Sequence, residues 1–368
     1  MQEIPFFNYP AIFNQRKDLY LKTLEDVLSR GAFIMQQDLR DFEENLAKKT
    51  GVKHAIGVAD GTMALLMSLM AAGINRGDEI IVPAHTFIAS AAAIHHVGAI
   101  PVLVDCGYDH LIDPSSAEKA ISKKTKAIMP VQLNGRVAKM EPFLELAQKN
   151  GLIIIEDSCQ SLGAKYKNKQ AGTFGVAGTF SFFPAKTLGG FGDGGAIITD
   201  DDGVAEKLKI IRDHGRDPKD GKVKFYGFNG RLDNIHAAIL DQKLRFYDED
   251  INRRRAIASL YQDNLAHVSF LKLPPAPNSD PDHYDVFQNY EIQAEDRDKL
   301  RVFLNERGIG TILQWGGYTI NNFEDLGFNK KLKETDLMRS RFLMLPMHPL
   351  LTDNEILYIC ENIIEFYQ

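Results

Sequence analysis

Seven short β-branched or apolar runs recur between helix-like stretches from about residue 50 to residue 200: HAIGVAD, EIIVPA, IPVLVDC, TKAIMPVQ, GLIIIEDS, TFSFF and GAIITD. This alternation constrains the fold most, because strands separated by helices form βαβ units that assemble into a largely parallel sheet. Helices are expected at Thr62–Ala72, Ser90–Val97 and Pro142–Lys149, the last stopped by the Asn150-Gly151 pair. Residues Asn234 to Leu265 read as one long helix, which the four prolines of LKLPPAPNSDPDHYD bring to an end. Beyond it, NYEIQA and TILQW read as strands and Glu355–Phe366 as a last helix. The expected fold is therefore α/β, with a large domain over 1–248 carrying a mostly parallel central sheet flanked by helices. A smaller C-terminal α/β domain follows over 249–368.

Composition excludes several classes. A net charge of −6 disfavours a sequence-independent grip on nucleic acid. Three scattered cysteines without a C-x-x-C pair argue against a disulfide framework and a zinc site, and no pair of histidines has metal-ligand spacing, so no metal is expected. No apolar run approaches the roughly 18 residues of a membrane span. The opening MQEIPFFNYP has no basic segment followed by an apolar one, so no membrane partner and a cytoplasmic location are expected.

The chemistry concentrates in two places. The apolar strand IIIEDS delivers Glu156 and Asp157 at its C-terminal end, where parallel sheets bind their ligands. A carboxylate there could hold a metal, act as a base, pair with a cationic ring nitrogen, or simply cap the strand. Lys186 follows 29 residues later, after the apolar run GTFSFFP and before the glycine-rich LGGFGDGG. A lone lysine is ordinarily a solvated surface charge, but a desolvated amine attacks carbonyls. An Asp that keeps a pyridine nitrogen protonated, together with such a lysine, is what pyridoxal phosphate requires to act as an electron sink. That pair predicts a phosphate cradle, and Asp60-Gly61-Thr62 supplies one by opening a helix directly after a strand. Phe87, after the strand EIIVPA, is placed either to cover a flat ring or to pack in the core.

The motifs DGTMAL, IIEDSCQSLGAKYKNKQAGTFG, FSFFPAKTLGGFGDGGAIITDD, RDHGR, GFNGRLDNIHAAIL and LPMHPLLTDNEI, in this order, resemble the DegT/DnrJ/EryC1/StrS sugar aminotransferases over nearly the whole chain. The resemblance implies the fold type I architecture of pyridoxal phosphate enzymes. It implies pyridoxal 5'-phosphate as cofactor, with pyridoxamine phosphate as its amine-carrying form. Lys186 would link to the cofactor and move the proton between carbons, Asp157 would pair with the ring nitrogen, and Gln160 would contact the ring hydroxyl. Gly61, Thr62 and Ser181 would hold the phosphate and Phe87 the ring face. Asn229 would reach the phosphate from a neighbouring subunit of a homodimer with shared active sites.

Arg231, Trp315 and His214 are the candidates for sugar contacts; Trp315 has a core position in the small lobe as its alternative, and Tyr318 and His348 stand in the same position. His95 and His96 read as packing or surface residues. The reaction implied is transfer of an amine from L-glutamate to a keto sugar linked to UDP, dTDP or GDP, for amino sugars of surface polysaccharide such as lipopolysaccharide O-antigen. A dehydratase or lyase of the same fold is the alternative; in the sugar 3-dehydratases a histidine takes the lysine position. Three departures from the family pattern stand out: Asp60 where asparagine is common, Gln36 where glycine is usual, and GIGTILQWGGYTINNFEDLGF where many members carry a tyrosine- and proline-rich stretch entering the sugar site.

Overall fold

The computed structural model describes residues 3–368. Met1 and Gln2, part of the opening segment from which the absence of a leader was expected, lie outside the described residues. The seven apolar runs form one sheet, numbered here along the chain as β1 (His54–Val58), β2 (Glu79–Pro83), β3 (Ile100–Val104), β4 (Thr125–Ile128), β5 (Ile153–Asp157), β6 (Ala177–Ser181) and β7 (Gly195–Thr199). Their order across the sheet is β1-β7-β6-β5-β4-β2-β3. Every pairing is parallel except those of β7, which runs antiparallel to both β1 and β6. All five residues of β7 are buried, as expected for an inner strand covered on both faces. The C-terminal ends of β1, β2, β5 and β6 therefore share one edge with the N-terminal end of β7.

Helices Gly61–Ala71, Ile88–His96 and Glu141–Asn150 lie where the spacing predicted, each within two residues. Gly151 ends the last of them in the left-handed region at φ 63°, which a residue with a Cβ enters at a cost. The expected helix over Asn234–Leu265 is instead two, Asn234–Leu244 and Tyr247–Leu265. Phe246 leaves the helical region at φ −102°, ψ 4°, and Asp248, Glu249 and Asp250 fill the first turn of the second helix. Three consecutive acids beside a helix N-terminus are the start signal that apolar periodicity concealed.

A second sheet, antiparallel, joins Leu271–Lys272, Tyr290–Ala294 and Phe342–Leu345. With Tyr247–Leu265, Arg297–Glu306 and Asp353–Tyr367 it encloses its own apolar cluster, to which Ile4 from the chain start also belongs. The strand expected at TILQW is a single bridge, Ile312 to Met344, followed by a tight turn over Gln314–Gly317. Trp315, Gly316 and Gly317 all have positive φ there, a conformation that no strand accepts. Among the described residues no helix is long and apolar enough to cross a membrane.

Candidate active site

A cleft of about 670 Å³ opens at the shared edge of the large sheet. Asp60, Gly61 and Thr62 enter it after β1, Thr86 and Phe87 after β2, Asp157, Cys159 and Gln160 after β5, and Ser181 and Lys186 after β6. Gln288, Asn289 and Trp315 close it from the side of the smaller sheet.

Asp157 and Glu156 are neighbours on one strand and so face opposite ways. Asp157 turns to the cleft, where Ser90 Oγ donates to its Oδ2 at 2.7 Å and Cys159 N–H to its Oδ1 at 3.2 Å. Glu156 is fully buried beneath the sheet and accepts from Gln132 Nε2 and the N–H groups of Gly172, Phe174 and Gly175. Of the two acids, Glu156 therefore ties down a loop while Asp157 is available to a ligand.

Lys186 lies five residues past β6, in a turn closed by its own N–H bonding to Phe183 O at 2.8 Å. Burial lowers its amine below the usual lysine range, against the opposing pull of Cys159 and Asp157. No carboxylate lies within ion-pair distance of it among the described residues, so its amine lines the cleft without a salt-bridge partner. Gln288, which the sequence reasoning missed, grips the chain on both sides of it: Nε2 donates to Ala185 O and Oε1 accepts from Thr187 N, both at 2.7 Å. The glycines after Lys186 answer to close approach, since a Cβ on Gly189 would lie 2.2 Å from Pro184 O and one on Gly190 1.9 Å from His236 Nε2.

The anion cradle is equally specific. Asp60 turns its carboxylate onto its own helix and accepts from Met63 N–H at 2.8 Å, so the unusual acid serves as an N-cap. The N–H groups of Gly61 and Thr62 are left without a protein acceptor among the described residues, at the positive end of the helix dipole. A Cβ on Gly61 would meet Ser181 Cβ at 2.9 Å and Cys159 Sγ at 3.1 Å, which keeps Ser181 Oγ close to those amides.

Gln160 lines the cleft with its Oε1 occupied by Asn134 N–H at 2.9 Å, which leaves its amide nitrogen to donate. Phe87 is 51% exposed, which decides against core packing and leaves a ring face to the cleft. Trp315 lines the cleft with its ring centroid 6.4 Å from that of Phe87 and 5.2 Å from the buried imidazole of His85.

Other candidates lie elsewhere. Asn229 and His214 are exposed, and neither lines this cleft. Arg231 pairs with Asp213 at 3.0 Å outside it. Tyr318 is 53% exposed, and His348 is buried behind the Lys186 turn. Gln36 is exposed in extended backbone at φ −100°, which does not require glycine. Among the residues that sequence reasoning missed, Ser90 had no signal at all, as a serine in a helix that reads as plain packing.

An amine without an ion partner, a buried carboxylate and an anion cradle at the edge of a parallel-rich sheet define the pyridoxal phosphate enzymes of fold type I. Within that class the chain belongs to the DegT/DnrJ/EryC1/StrS aminotransferase family, whose model matches residues 14–364. A Geobacillus stearothermophilus protein named as a pleiotropic regulatory protein is 39% identical over 99% of both chains. The dTDP-3-amino-3,4,6-trideoxy-α-D-glucose transaminase of Streptomyces venezuelae is 39% identical, over 85% of this chain and 82% of its own. The solved structure of S. venezuelae DesV in complex with a ketimine intermediate superposes with a TM-score of 0.95 at 33% identity, covering 100% of this chain and 99% of the other. Structures of this fold have been solved with bound pyridoxamine phosphate and with hydrated pyridoxal phosphate.

Proposed function

We propose that this chain transfers the amino group of L-glutamate to carbon 3 of a nucleotide-linked keto sugar, with pyridoxal 5'-phosphate as cofactor. The observation that carries the reading is the convergence of Lys186, Asp157 and the Gly61–Thr62–Ser181 cradle on one cleft. The 3-amino product named for the Streptomyces relative supports carbon 3. The name of the Geobacillus relative raises a regulatory role, but no position of the reacting constellation is replaced here.

The residues present fit the cofactor: among the described residues the cradle amides have no acceptor and the lysine amine no ion partner, and a side chain at position 61 would crowd Ser181 and Cys159. Bound there, pyridoxal phosphate would supply an aldehyde for the amine and a ring that takes up electron density. Gly61 and Thr62 N–H with Ser181 Oγ would hold the phosphate. Asp157, oriented by Ser90, would keep the ring nitrogen protonated, and Gln160 would donate to the ring hydroxyl. Phe87 would cover one ring face. Lys186 Nζ, with its basicity lowered by burial, would accept a proton from one carbon and return it to another. Trp315 would line the sugar side, where Arg231 and His214 have no direct role within one chain.

The active unit is a homodimer on this reading. Asn229 is exposed beside Val223 at 67% and Tyr226 at 99% exposure, an apolar surface suited to a second copy whose cleft Asn229 would complete. The second apolar cluster, built from Ile257 onward together with Ile4, supports a division near 248/249, across which Ile251, Val286, Ile320 and Leu332 reach back into the first cluster. A cytoplasmic location and a product destined for surface polysaccharide such as O-antigen complete the reading.

The test is the visible absorbance of the purified protein before and after L-glutamate, followed by nuclear magnetic resonance of the product from dTDP- and UDP-linked 3-keto and 4-keto sugars. A cofactor band that glutamate bleaches, with a 3-amino product, is expected. A band indifferent to glutamate would point to another donor or to a lyase, and a 4-amino product would overturn the carbon assignment.

A further inference from the structure

Behind Trp315, three metal-ligating side chains meet that no spacing in the sequence connects. His85 follows β2, His110 lies in the loop after β3, and Glu291 stands on the strand Tyr290–Ala294 of the smaller sheet. They are 0%, 8% and 2% exposed. Glu291 Oε1 is 3.1 Å from His85 Nε2 and 2.5 Å from His110 Nδ1, and one ligand atom from each residue lies within 4.8 Å of the other two. A tetrahedral zinc ion with bonds near 2.0–2.1 Å spaces its ligand atoms about 3.3 Å apart, so the two contacts to Glu291 Oε1 would have to open by less than about 1 Å to take one.

Two further observations point to a missing ligand. Among the described residues Glu291 Oε2 is buried with no hydrogen-bond partner, and a carboxylate oxygen left so is costly. No lysine or arginine pairs with Glu291 among the described residues, so its charge is answered by imidazoles alone. On its open side the cluster borders a separate cavity of about 230 Å³, which His110, Glu291 and Asp109 help to line. Two imidazoles, one carboxylate and an accessible fourth position suit a borderline divalent ion rather than calcium or magnesium.

We propose that His85, His110 and Glu291 bind one divalent transition-metal ion of the zinc class, with a fourth position open to the adjoining cavity. The ion joins two loops of the large sheet to the smaller sheet. It also fixes His85, against whose ring Trp315 packs, and so sets the wall of the cleft without touching the reacting atoms.

The full-length protein, stripped with a chelator and dialysed, is titrated with Zn²⁺ against a chromophoric chelator. About one tight equivalent per chain is expected, with a rise in melting temperature. Glu291→Gln and His110→Ala each weaken that equivalent by about 100-fold or more, beyond the 10–100-fold loss typical of outer-contact mutations. The double change His95→Ala/His96→Ala, at exposed imidazoles, leaves it intact. Should the ligand variants fail to fold, Co²⁺ added to the unaltered protein still decides: intense four-coordinate absorption beyond the cofactor band supports the site. Absence of a tight equivalent, an equivalent unchanged in both ligand variants, or a weak six-coordinate cobalt spectrum overturns the proposal.

Discussion

Ser90 donates a 2.7 Å hydrogen bond to Oδ2 of Asp157, a carboxylate 67 residues away in the sequence, and Ser90 is itself held by Thr86 Oγ1 at 2.9 Å. The bond fixes the carboxylate's orientation in the cleft. A hydrogen bond to a charged group contributes about 1.5–3 kcal/mol, so Ser90→Ala is expected to weaken cofactor binding or slow turnover by about 10- to 100-fold. Cofactor titration by fluorescence, with steady-state rates, checks this; unchanged values in both would remove Ser90 from the site.

Lys186→Ala removes an amine that has no ion partner, so the melting temperature should stay at or above that of the unaltered protein. Turnover should fall by about 10⁴-fold or more, since a positioned proton-transfer group alone contributes up to that factor. The readout is activity beside a thermal melt, and substantial turnover would disprove the assignment.

Gly61→Ala places a Cβ 2.9 Å from Ser181 Cβ and 3.1 Å from Cys159 Sγ. Ser181 must shift, and the cradle loses its match to a phosphate. Cofactor affinity is expected to drop by about tenfold or more, a loss of about 1.4 kcal/mol. Dialysis equilibrium against pyridoxal phosphate measures it.

Glu156→Gln should separate structure from chemistry. The carboxylate accepts from four donors, and an amide nitrogen in its place turns a donor toward other donors. A stability loss of at least about 2 kcal/mol is expected in denaturant unfolding, with activity at permissive temperature largely retained. Loss of activity in the folded variant would return Glu156 to the list of reacting groups.

His348 predicts a pH dependence. It is 4% exposed, and burial, aided by the Arg254 charge, pushes its imidazole down to about 4. The unfolded imidazole titrates near 6.5, so between about 6.5 and 4 the unfolded chain binds a proton that the native one refuses. This contribution to stability is whole above about pH 6.5 and lost as the pH falls to about 4, amounting to at most about 3 kcal/mol. Unfolding curves at pH 7 and pH 4.5 should therefore lie closer together for His348→Gln than for the unaltered protein.

Local order dictated much of this protein. The seven strands, the helices between them, and the elements bearing Gly61, Asp157 and Lys186 follow from runs, caps and turns written in adjacent residues, because strand and helix periods are local properties. The break at Phe246 was also written locally, in three acids, yet hidden by an apolar pattern continuous across it. Tertiary structure alone decided which acid of the Glu156–Asp157 pair faces the cleft, that Gln288 clasps the lysine turn, and that Ser90 orients Asp157. It also decided that Trp315 leaves a strand for a left-handed turn, and that His85, His110 and Glu291 meet at all. Those outcomes depend on strand order and on the docking of the smaller sheet, which bring together side chains up to 206 residues apart. No local period encodes such a meeting, since it exists only once burial has fixed both sheets in place.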